Sequence, residues 1–168
     1  MKFIILLLIG LLNLLKAHSQ IKNNGFELSK DSLGNIKSWN FKNYSKYIVE
    51  LDSNIKFSGS KSLHIKGTTD KKEDPFISFF QDIRLLAQST KKLKISCYIK
   101  TSDVSGSSQI WCQVWDQNRK FTGVYNLEMQ DITITGNTEW KLYQVIIPVN
   151  IDTYSLNLGG FLSGSGSV

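Results

Sequence analysis

The sequence predicts an all-β domain, a β-sandwich or jelly roll, on three observations. Short runs alternate apolar and polar residues with a period of two, the spacing of half-buried strands. Clusters of Gly, Ser, Asn and Asp separate those runs, and several strands so spaced with no helices between them argue a sandwich. Helical periodicity is absent beyond the first twenty residues, and Pro75 and Pro148 are the only prolines.

The chain opens with MKFIILLLIGLLNLLKAHSQ. Lys2 gives a positive start, and Phe3 to Leu15 is apolar except for Gly10 and Asn13. Ala17 and Ser19 then stand two apart, like the small residues of a cleavage site. This pattern predicts a secretory signal peptide over residues 1–19, cut near Ser19–Gln20. A membrane-spanning helix wants roughly 20 apolar residues, and this run is shorter. One β domain is expected over 20–168, exported to the periplasm, the cell surface or the medium.

The strands follow in order. KYIVELD sets Tyr47, Val49 and Leu51 on one face, and SLHIKG sets Leu63 and Ile65 together. PFISFFQDI is apolar on both faces, as a central strand is. KLKISCYIK alternates cleanly, with Leu93, Ile95, Cys97 and Ile99 opposed to Lys94, Ser96, Tyr98 and Lys100. WKLYQVIIPV offers Tyr143, Val145, Ile147 and Val149, and YSLNLGGFL closes the series. SGSK at 58–61, SDVSGSS at 102–108 and TGNTE at 135–139 read as turns. Gly67 to Asp74 is charged and without apolar residues, so it reads as a surface loop.

Charge and composition exclude some functions. The formal charge is +6, with lysines scattered along the chain. Nucleic acid requires a denser basic patch and is not expected as a partner, nor is a membrane once the signal is removed. Cys97 and Cys112 permit one disulfide in an oxidising compartment. Two buried free thiols are the favoured reading.

Catalytic constellations are not found. A Ser-His-Asp arrangement needs a histidine to take the proton. Beyond the signal the chain has only His64, which alternation turns away from Leu63 and Ile65. Cys97, Cys112 and His64 lack the spacing of a closed zinc site. Asp116 and Glu128 flank NRKFTGVYN and could approach each other as glycosidase carboxylates do, but nothing marks them among fourteen acids. Glycine loops in the strand-to-helix setting that cradles phosphate are absent. The sequence predicts no enzyme, no metal site and no cofactor.

Binding is the sharper expectation, and it centres on IWCQVW. Alternation sends Ile110, Cys112 and Val114 to one face and Trp111, Gln113 and Trp115 to the other. The aliphatic face suits the core. The Trp-Gln-Trp face suits either a ligand or packing beneath the FTGVYN segment. A hairpin of KLKISCYIK with QIWCQVW would set Tyr98 against Trp111, Ser96 against Gln113 and Cys97 against Cys112. Trp111, Gln113, Trp115 and Tyr98 are therefore the candidate ligand-binding residues, with a glycan as the expected partner.

Several motifs carry a resemblance. NNGFEL and LGNIKSW come first, then YIVELDSNIKFSGSKSLHIKG, KLKISCYIKTSDVSG, QIWCQVWD, ITGNTEWKLYQVIIPV and GGFLSGSGSV. Their order resembles the galactose-binding-like jelly rolls, which include carbohydrate-binding modules and accessory domains of exported Bacteroidetes-type proteins. Similar domains precede erythromycin-esterase-like or tail-specific peptidase-like hydrolases. The resemblance implies a non-catalytic carbohydrate-binding accessory module. Its alternative is the N-terminal structural or partner-contact domain of a truncated hydrolase of those kinds, without glycan affinity. Jelly rolls of this resemblance often hold a structural calcium near the first strand, for which Glu27 of NGFE is the matching acid; the last-strand acid that would assist is missing, and the alternative is that Glu27 is a surface or hydrogen-bonding residue. Two departures stand out: LEM (Leu127, Glu128, Met129) replaces an Asp-Asn-Met tract, and Val168 precedes the expected W-x-D-D tract, so a final strand is expected to be missing.

Overall fold

The computed structural model describes residues 21–32, 34–42, 47–67, 76–85 and 92–168. The expected signal peptide and most of the 67–74 loop lie outside them. Nine strands are described: β1 (Asn40–Lys42), β2 (Tyr47–Asp52), β3 (Ser62–Gly67), β4 (Phe76–Arg84), β5 (Lys92–Asp116), β6 (Phe121–Asn126), β7 (Ile134–Pro148), β8 (Thr153–Ser163) and β9 (Gly166–Ser167). A 3-10 turn spans Glu128–Gln130. The all-β expectation holds across the described residues.

The strands form one curled sheet in the order β1-β4-β8-β5-β9-β3-β2, with β6 and β7 also on β5. Period-two alternation explains each strand's buried face. Tyr47 and Val49 on β2, Ile65 on β3, and Tyr143, Val145 and Ile147 on β7 meet in one core with Ile110, Cys112 and Val114 of β5 and Leu156, Leu158 and Leu162 of β8. On the N-terminal side Trp39 packs on Phe26 and Phe79, with ring centroids 5.1 and 5.3 Å away.

β5 departs from the expected hairpin. It runs unbroken from Lys92 to Asp116 and changes partners on the way. Its first half pairs β7, with Cys97 opposite Tyr143 and Tyr98 opposite Leu142. Its second half lies between β8 and β6. The SDVSGSS residues make no turn. They form irregular pairings with β7, with register shifts between Ile99 and Thr101, Thr101 and Val104, and Val104 and Ser108. Asp103 takes φ 53° there, and its N–H donates to Asn137 Oδ1 at 2.9 Å. Bulges of this kind bend a strand from one layer to the next. TGNTE is likewise absorbed into β7, with Gly136 at φ 64°. Tyr98 therefore does not face Trp111, nor does Cys97 face Cys112. Both cysteines are free, Cys112 buried and Cys97 half-buried.

Candidate functional site: an aromatic groove

The outward face of the β1-β4-β8-β5-β6 layer carries the site. Register sets its side chains in rows. Asn40, Phe80, Gly159, Trp111 and Asn126 lie side by side across the five strands. The next row holds Asp82, Asn157, Gln113 and Val124, and the third Arg84, Ser155, Trp115 and Phe121. The first two rows contribute to a groove of about 350 Å³, also lined by Lys42, Phe76, Ser78 and Phe161.

Gly159 stands between Phe80 and Trp111 in the strand ladder and is buried. A Cβ there would fall 1.8 Å from the Phe79 carbonyl oxygen, so the backbone leaves no room for a side chain. Phe80 and Trp111 rise on either side, their ring centroids 6.4 Å apart and tilted by 44°. Lys42 Nζ stands 5.1 Å from the Phe80 ring centroid. Asn157 donates through Nδ2 to Asp82 Oδ1 at 2.9 Å. Its Oδ1 is buried and has no partner among the described residues. A buried amide oxygen without a partner is costly.

The predicted site residues separate. Trp111 and Gln113 line the groove. Trp115 shares their face but packs edge-on against Phe121, centroids 5.5 Å apart. Tyr98 is remote from this ladder, on the half of β5 that pairs β7, and stacks on Phe57. The FTGVYN segment is not a lid: as β6 it hydrogen-bonds to β5 and widens the same sheet. Phe80, Asn157, Asn126 and Lys42 were missed. The signal for Phe80 was legible, because PFISFFQDI carries aromatic residues on both faces.

The other candidates find ordinary partners. Glu27 accepts hydrogen bonds from the Ser60 hydroxyl and from Ser60 N–H at 3.0 and 3.1 Å. These bonds, the hydroxyl's first, hold its carboxyl below the usual 4.5, outweighing the opposing effect of burial. The described residues contain no cluster of three His, Cys, Asp or Glu able to hold a metal. His64 Nδ1 lies 2.9 Å from Glu50. Asp116 Oδ1 accepts the N–H groups of Asn118 and Lys120, holding a turn, while Glu128 is exposed. Burial pushes the Cys97 thiol up to about 11 and that of Cys112 to about 12.

No protein-family model matches the chain. It is 25% identical over 123 residues to an uncharacterized HTH-type transcriptional regulator, YbfP, of Bacillus subtilis (strain 168). That match takes in 73% of this chain and 41% of the regulator, so the chain spans less than half the length of this relative. Among solved structures, TmCBM61 in complex with β-1,4-galactotriose superposes with a TM-score of 0.55 at 17% identity, covering 88% of this chain and 90% of that one. The enzymatically active domain of bacteriophage CBA120 tailspike protein 4 gives a TM-score of 0.62 at 12% identity, over 88% of this chain and 20% of the other. The CBM22-1-GH10 modules of Clostridium thermocellum Xyn10B, complexed with xylohexaose, give 0.52 at 10% identity, over 85% of this chain and 27% of that one. The protein thus has a β-sandwich fold shared with carbohydrate-binding modules.

Proposed function

We propose that the domain is a non-catalytic carbohydrate-binding module of an exported protein, holding a glycan in the groove lined by Phe80 and Trp111. One observation carries the reading: the Phe80, Trp111 and Phe161 rings line one groove with the Gln113, Asn126 and Asn157 amides. An apolar concavity with a few placed polar groups is the usual form of a small-ligand site. The ring faces suit the C–H face of a sugar, and the amides suit its hydroxyls. The carbohydrate complexes among the structural neighbours support this ligand class, and the apolar opening segment supports export.

Affinity electrophoresis and a glycan array, starting with galactan and xylan oligosaccharides, test it. Trp111→Ala should weaken retention by about 30-fold, the ~2 kcal/mol of a central aromatic anchor. Tyr98→Ala should leave retention unchanged. Equal retention by a folded Trp111→Ala protein rejects the site. N-terminal sequencing of the exported product should begin near Gln20.

The coverage figures support a second reading, in which the domain is one part of a longer polypeptide and serves partner contact without glycan affinity. A folded domain that binds nothing on the array favours it.

A further inference from the structure

Among the described residues that line the aromatic groove, only Lys42 is charged. β1 places it there. Lys42 stands opposite Ser78 of β4, and Ser78 in turn lies beside Phe161 of β8. The Lys42 ammonium is 5.1 Å from the Phe80 ring centroid. An aromatic face attracts an ammonium through its quadrupole but offers it no hydrogen-bond acceptor of the ordinary kind, so the N–H donors stay free for a ligand. Among the described residues Lys42 has no carboxylate partner.

The other charges on this face lie elsewhere. Asp82 is the next one along β4, about 13 Å beyond Ser78 at the rise of a strand, and its Oδ1 already accepts the Asn157 amide. Arg84, one row further, stands 4.6 Å from the Tyr154 ring centroid and is outside the groove lining. From β5, β6 and β8 the groove receives Trp111, Gln113, Val124, Asn126, Asn157 and Phe161, all uncharged. The groove is therefore electrically one-sided. It has an ammonium at one end, a carboxylate beside the other, and rings and amides between.

We propose that the groove selects a glycan carrying a fixed negative charge, the carboxylate of a uronic acid or a sulfate ester, with that group held by Lys42 and the sugar rings over Phe80 and Trp111. This rests on the groove being the glycan site. An ammonium–oxyanion contact is a charge-assisted hydrogen bond, and the apolar rings beside it lower the screening by water. Asp82 repels the same group. It sets the direction of the chain, with the charged unit at the Lys42 end and an uncharged one near Gln113 and Asn157. A glycan charged at every unit brings a second anion toward Asp82 and gains less.

The test measures affinity of the whole protein for matched pairs that differ only in charge. The pairs are a xylo-oligosaccharide branched with glucuronic acid and its carboxyl-reduced form, a partly esterified oligogalacturonide and its full methyl ester, and a sulfated galactan oligosaccharide and its desulfated form. The charged member of at least one pair should bind at least about five-fold tighter. Lys42→Gln should remove that preference and leave the uncharged member's affinity unchanged, while Lys42→Arg should keep it. The chain's formal charge is +6, so general attraction of anions needs a control. Lys94→Gln removes the same charge from the exposed face where β5 pairs β7, and it should keep the preference. Added salt should weaken the charged member more than the uncharged one. Preference in the carboxylated pairs assigns the anion to a uronic acid, and preference in the sulfated pair alone to a sulfate ester. Equal affinity within every pair overturns the proposal, as does a preference that survives Lys42→Gln or falls equally in Lys94→Gln. Uncharged glycans that bind through Trp111 with no charge preference overturn this proposal and leave the groove reading standing. Retention of no glycan at all overturns both.

Discussion

Glu27 ties the N-terminal segment to the turn before β3, its carboxylate chiefly through Ser60 and its carbonyl oxygen through the Lys61 ammonium. Its folded-state pKa lies below the ordinary 4.5 because Ser60 stabilises the charged form. Its contribution is therefore complete above about pH 4.5 and is lost as pH falls through the lowered value. Glu27→Gln should lower the thermal midpoint at pH 7 and flatten the acid limb of the stability curve below pH 4.5. An unchanged acid limb refutes this. Gly59 shares the arrangement. Its φ is +70° and a Cβ would fall 1.9 Å from Glu27 Oε1, so Gly59→Ala should reproduce the loss at neutral pH. Alternation alone placed Trp111 and Cys112 on opposite faces, and the structure agrees. The Ser60 contact was not legible, because it joins residues 33 apart through a turn whose path the sequence does not specify.

Strand β5 shows where element boundaries escape a sequence reading. Ser, Gly and Asp favour turns because they tolerate unusual backbone angles, and bulges ask for the same tolerance. Which of the two forms depends on whether a partner strand lies alongside, and β7 does. Gly106 sits in this bend, where a Cβ would come within 2.4 Å of the Ser163 carbonyl oxygen. Backbone cannot withdraw as a flexible side chain can. Gly106→Val should therefore cost about 1–3 kcal/mol of overpacking, read as a lower urea midpoint. A neighbour without that clash, Ser107→Ala, should cost less than about 0.5 kcal/mol. Equal midpoints for the two variants would show that the bend has slack. The bend also explains how Tyr98 left the site: the reading gave it the right face of a strand and the wrong half of the molecule.

At the scale of the whole molecule, period-two alternation made the fold class legible, because burying one face of each strand is the same problem wherever the strand lies. The pairing order was less legible, since one long strand serving both layers satisfies the same pattern as two short ones. That shared strand has a thermodynamic consequence. Ile147 of β7 and Leu162 of β8 are both fully buried, the first beside Leu93 in the first half of β5 and the second beside Ser108 in its second half. If each layer could fold alone, truncating one residue would melt its own layer and spare the other. Because β5 belongs to both, neither layer can open without removing an edge from the other. Ile147→Ala and Leu162→Ala should each cost about 2–5 kcal/mol. Each should lower one common melting transition by roughly 2–4 °C per kcal/mol for a domain of this size. Tryptophan fluorescence, which reports Trp39, Trp111, Trp115 and Trp140 together, and far-ultraviolet circular dichroism should give coincident curves for both variants. Two separated transitions in either variant would show that the bend in β5 is a boundary between independently stable layers, and glycan binding by the groove layer would then survive loss of the other.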